Sequence, residues 1–139
     1  VLVAIPEIRA GSVACALLAV HHAGLSEGVR SLLSLAVPTL VLVADEASLL
    51  AAAIRLRPVL AVVDIGLIER DVPAILHRLR ESCPEMKVIL LDPHGLANGT
   101  RRRLVGEASA IVPVSEIGAR LLPAVDAILA GEPAQKGAT

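Results

Sequence analysis

Five short apolar runs recur along the chain, and each is followed by a longer stretch of mixed polarity. The runs are VACALLAV (13–20), TLVLVA (39–44), VLAVVD (59–64), KVILLD (87–92) and SAIVPV (109–114). Each has the length of a strand, and most are apolar at successive positions. Strands apolar on both faces suit a parallel sheet covered by helices on both sides.

The stretches between the runs carry apolar residues at helical spacing. In 25–35, Leu25, Val29, Leu32, Leu33 and Leu35 share one side, and Gly24 or Ser26 can start the helix. In 46–56, Leu49, Leu50, Ala53 and Ile54 form the stripe. In 72–81, Pro73 suits a first turn, and Ile75, Leu76 and Leu79 follow. Segment 97–107 is anchored by Leu104 and Val105, with Gly106 as its end. Segment 115–130 carries Leu121, Leu122, Val125, Ile128 and Leu129, with Ser115 as a cap. Pro123 lies inside it and costs about 3 kcal/mol in a helix interior. A kink is expected there, or a helix that begins nearer residue 119. Strict alternation of strand and helix predicts an open α/β sheet with right-handed crossovers.

Length sets this as one domain, 13–131. Residues 1–12 read as a lead-in or an extra strand, because VLVAI stands outside the alternation, and 132–139 reads as a linker-like tail. Hydrophobic residues make up 55% and charged residues 19%, which suits a packed globule. There is no Phe, Tyr or Trp, so the core must be aliphatic and base-stacking platforms are excluded. A net charge of −1 argues against direct nucleic-acid binding and against an anionic membrane. Arg101, Arg102 and Arg103 form the one basic cluster, read as a solvated helix face. Cys15 and Cys83 have no metal spacing and suit reduced cytoplasmic thiols. The apolar stretch 31–44 is too short to span a bilayer and is broken by Pro38. No signal peptide or membrane span is expected.

Ligands of open α/β sheets sit at the carboxyl ends of the strands. There the sequence places Val20, His21 and His22, then Asp64, then Asp92 with His94, and last Val114 and Ser115. Asp64 ends an apolar run, and a buried acid is costly unless something needs it.

Several phrases, in order, resemble the receiver domain of bacterial two-component response regulators, in the branch with a LuxR-type helix-turn-helix. They are HHAGLSEGVRSLL, LRPVLAVVDIGL, HRLRESCPEMKVILLD, GEASAIVPVSE and LLPAVDAILAGE. The likeness spans roughly 13–132. It implies a flavodoxin-like (βα)5 sandwich with strand order 2-1-3-4-5, and it places the phosphoryl-accepting aspartate at Asp64. It also implies a cytoplasmic, non-enzymatic signalling module. Such a module dimerises through its fourth helix, fifth strand and fifth helix, and a DNA-binding effector can follow it. A second register, with VLVAI at 1–5 as the first strand, would put Ile5 and Pro6 at the metal-binding acid positions and still supply no acid pair.

The rest of the family's phosphorylation set is replaced. Val20 and His21 stand at the acid pair that holds Mg²⁺, and His22 at a histidine of the family. Asp92 stands for the hydroxyl residue, Val114 for the lysine and Ile111 for the switch aromatic. Mg²⁺ wants hard oxygen ligands in an octahedron, so its binding is expected to be lost and Asp64 not to take phosphate by the usual route. A phosphoryl group on Asp64 would also face Asp92, at roughly 4 kcal/mol for unit charges ~4 Å apart at an effective dielectric near 20. A contact from His21 to Asp64 is expected instead. The alternative reading is a small ligand- or metal-binding domain using Asp64, Asp92 and His21, although this donor set has no recognised transition-metal spacing.

Overall fold

The computed structural model describes residues 15–68, 71–93, 95, 98–105 and 107–131. Its elements run β1 (Cys15–Ala19), α1 (Ala23–Leu33), β2 (Thr39–Val43), α2 (Glu46–Leu56), β3 (Leu60–Asp64), α3 (Val72–Ser82), β4 (Lys87–Asp92), α4 (Asn98–Val105), β5 (Ala110–Pro113) and α5 (Ile117–Leu129). Short 3-10 turns follow β3 and β5. All strands are parallel, in the order β2-β1-β3-β4-β5 expected from the resemblance. The expected lead-in 1–12 and tail 132–139 lie outside the described residues.

Pleating divides the core in two, because successive strand residues face opposite sides. Leu17, Ala19, Ala61, Val63, Val88, Leu90 and Ile111 pack beneath α2, α3 and α4 through Leu49, Ala53, Ile75, Leu76, Leu79 and Leu104. Ala16, Leu18, Leu60, Val62, Ile89, Leu91, Ala110 and Val112 pack beneath α1 and α5 through Val29, Leu33, Leu121, Val125 and Ile128. This is why β3, buried at every position, reads as an unbroken apolar run.

Local signals set most helix ends. Asp45 caps α2 by accepting from the Ser48 N–H at 2.8 Å, and that bond holds its carboxyl below the usual range. Asp71 accepts from the Ala74 N–H at 3.2 Å and caps α3, with Pro73 in the first turn. α2 closes on Arg57, a non-glycine residue in the left-handed region at φ 48°. Two ends differ from the expectation. α1 begins at Ala23, earlier than the glycine and serine signals suggested, with His22 at its cap position and no side-chain bond there. α5 begins at Ile117 and continues through Pro123. That start lies between the two the sequence allows, Ser115 and a point nearer residue 119, because the 3-10 turn Val114–Glu116 takes up the first residues of the segment.

Thr39, 4% exposed at the start of β2, has a buried hydroxyl with no hydrogen-bond partner among the described residues. An unmet buried hydroxyl costs about 1–3 kcal/mol. Thr39→Val keeps the β-branched shape and removes that cost. Urea unfolding should show a gain of about 1 kcal/mol, and a loss would mean that the hydroxyl is satisfied in solution. The two thiols are unpaired. Cys83 is buried and its Sγ–H points at the Ala53 carbonyl 3.0 Å away, joining α3 to α2, while burial pushes the Cys15 thiol up.

Candidate functional site

β3 and β4 both end in carboxylates, and both carboxylates are buried, Asp64 to 5% exposure and Asp92 to 3%. Each holds the loop that follows it. Asp64 Oδ1 accepts from the Gly66 N–H at 2.9 Å, an Asx-type turn that starts the 3-10 turn Ile65–Leu67. Asp92 Oδ1 accepts from the Gly95 N–H at 2.9 Å, and Gly95 has φ +80°, which favours glycine. Such bonds offset part of the cost of burying a charge. A Cβ on Gly66 would lie 3.3 Å from Asp64 Oδ1, so the position is tight as well as turned. Neither glycine was singled out from sequence. The available signal was the spacing D-x-G and D-x-x-G directly after an apolar run.

The surroundings of Asp64 on β1 are apolar. The ladder between β1 and β3 pairs Ala19 with Val63, so the next step sets Val20 beside Asp64. Val20 is 5% exposed and belongs to the cluster under α1 and α5. Val114, just past β5, is half-buried against the same cluster. Ile111 is fully buried on the other side of the sheet with Leu104.

His21 and His22 are exposed in the short turn between β1 and α1. The expected contact between His21 and Asp64 is absent, and the Gly66 N–H is the group that meets the carboxylate. The chain leaves the sheet at Val20 and enters α1 three residues later, which keeps both histidines on the outside of the turn. His94 lies outside the described residues. Among the described residues no three His, Cys, Asp or Glu side chains come together as a metal-binding set. At the two positions where the resemblance expects Mg²⁺-binding acids stand a buried valine, Val20, and an exposed histidine, His21.

Four ion pairs form at the surface among the described residues. Arg30–Glu27 and His77–Glu81 lie within single helices, Arg120–Glu116 joins α5 to the 3-10 turn before it, and Arg80–Glu107 at 2.9 Å ties α3 to the loop before β5. Arg101, Arg102 and Arg103 of α4 make no ion pair with a described residue. Among the described residues no helix is long and apolar enough to cross a membrane.

No protein-family model matches the chain, and a search of curated proteins finds no match. Solved structures do match. A two-component response regulator of the LuxR family from Aurantimonas sp. SI85-9A1 is 24% identical, with a TM-score of 0.72 over 88% of this chain and 89% of that one. The isolated REC domain of RcsB from Salmonella enterica serovar Typhimurium, solved with phosphomimetic BeF3-, is 16% identical, with a TM-score of 0.75 over 88% and 92%. The signal receiver domain of the putative response regulator NarL from Mycobacterium tuberculosis is 19% identical, with a TM-score of 0.62 over 73% and 83%. At these identities the likeness is one of fold: the chain has the five-stranded parallel architecture of response-regulator receiver domains, across nearly its whole described length.

Proposed function

We propose that the chain is a receiver-type signalling domain that does not take phosphate by the Mg²⁺-dependent route and acts through protein–protein contact. One observation carries this reading. Val20, directly after β1, where the resemblance expects an acid, is buried in the core under α1 and α5. Aspartyl phosphorylation needs a metal to neutralise charge on the transferred group. The apolar neighbours Val20 and Val114 offer neither oxygen nor cation. Asp64 retains a structural task, since it starts the turn after β3.

The contact surface in this reading is the face of α4, β5 and α5, which the resemblance makes a dimer or partner face. Here it carries three arginines without an ion pair among the described residues, so it suits a partner of acidic surface. A DNA-binding effector is the output that the resemblance implies, and the domain would regulate it by docking. Neither a catalytic step nor a resident cofactor is assigned to the chain.

Acetyl phosphate with Mg²⁺, followed by intact mass measurement, tests the reading. No phosphoryl adduct is expected on the wild-type chain. An adduct that disappears in Asp64→Asn would overturn it.

A further inference from the structure

Among the described residues, the two edges of the sheet, β2 and β5, are built differently. β5 has four residues and ends in Pro113, which lacks the N–H that a pairing strand needs. β2 has five residues, Thr39–Val43, with no proline and no charge. Open edges recruit other strands unless short length, proline or charge blunts them, and β2 carries none of these guards. Leu42 of β2 is itself 37% exposed, and exposed apolar residues also stand on the flanking segments, Ile54 of α2 at 55% and Leu35, four residues before β2, at 76%.

We propose that β2 is where two copies of this chain associate, strand to strand and antiparallel, about a two-fold axis through Val41. This pairing sets Val41 against Val41 of the second copy, Leu40 against Leu42 and Thr39 against Val43. Directly opposed residues of an antiparallel pair point to the same face. Leu40 lies on the α1 side, and Val41 and Val43 on the α2 side, so each contact joins like to like. A two-fold interface repeats every contact, and a five-residue uncharged strand is complementary to itself.

Charge agrees with this arrangement. α2 begins at Asp45 and Glu46, just past the carboxyl end of β2, and ends at Arg55 and Arg57. The two-fold reverses one α2 relative to the other, so the acidic start of each lies toward the basic end of its mate. Arg55 and Arg57 are exposed and make no ion pair with a described residue. A two-fold through α4 would instead bring Arg101–Arg103 of both copies together. This inference stands apart from the receiver reading and would hold for any function of the domain.

Sedimentation of the full chain at rising concentration gives the test, with circular dichroism confirming that each variant is folded. The wild-type chain should dimerise. Leu42→Lys, which guards the edge, should raise the dimer dissociation constant at least about tenfold. The triple change Arg101→Gln, Arg102→Gln, Arg103→Gln should leave dimerisation intact. Val41→Cys adds a check that does not depend on weakening the fold: the two-fold sets the Cα atoms of this pair about 4.5–5.5 Å apart, within disulfide range, so a covalent dimer should form on oxidation. A wild-type chain that stays monomeric would overturn the proposal. So would a dimer that withstands Leu42→Lys. A dimer that appears only when residues 1–12 are removed would also overturn it, since the chain's own segment would then be the occupant.

Discussion

Pro123→Ala should raise the stability of the domain by about 2 kcal/mol. Pro123 is the seventh residue of α5, well inside the helix, and is exposed. It has no N–H for the Ala119 carbonyl one turn earlier, and its ring crowds that carbonyl. An interior proline costs about 3 kcal/mol relative to alanine. Two effects reduce the gain. Ala119 is exposed, so water meets its carbonyl, and proline also stiffens the unfolded chain, worth about 0.4–1 kcal/mol. Helix hydrogen bonding still outweighs both. The expected readout is a melting temperature roughly 6–10 °C higher, scaled for a domain of this size. An unchanged or lower value would mean that α5 bends at Pro123 and that the packing of Leu121, Val125 and Ile128 depends on the bend.

Leu104→Ala should cost about 3 kcal/mol, in the range for a fully buried leucine. α4 is short and mostly polar, and Leu104, 1% exposed, packs with Leu90 and Ile111. The Glu107 and Ala108 N–H groups both donate to the Leu104 carbonyl, at 2.9 and 2.7 Å, so the turn into β5 hangs on the same residue. The other tie nearby is Arg80–Glu107, a partly exposed pair that should contribute less than about 1 kcal/mol. Urea unfolding of Leu104→Ala beside Arg80→Ala separates them. A loss in Arg80→Ala as large as that in Leu104→Ala would show that the ion pair holds this region as strongly as the leucine does.

How much of this was legible beforehand follows from which forces act locally. The strands were visible because β1, β3 and β4 are covered on both faces, and continuous burial leaves continuous apolar runs. α2 and α3 matched closely, since Asp45 and Asp71 announce their starts with side-chain caps. α1 was misplaced by two residues because its cap position is His22, which makes no side-chain bond and leaves no signal. At the site, the buried acid at the end of β3 was readable from composition alone. Its partner was less plain: a backbone N–H belongs to every residue but proline, and only the D-x-G spacing after the run points to Gly66. The exposure of His21 was hidden for a related reason, because direction out of a three-residue turn depends on the turn and not on residue type.

The pleat also separates the two buried carboxylates at the ends of β3 and β4. Asp64 leaves the sheet in series with Leu60 and Val62, on the side of α1 and α5, whereas Asp92 continues the series of Val88 and Leu90, on the side of Ile111 and α4. Asp92 also grips Gly95, in the loop that leads to α4. The hydrogen-bonded tie to the loop before the arginine-bearing helix therefore comes from Asp92, while Asp64 lies toward the opposite side of the sheet.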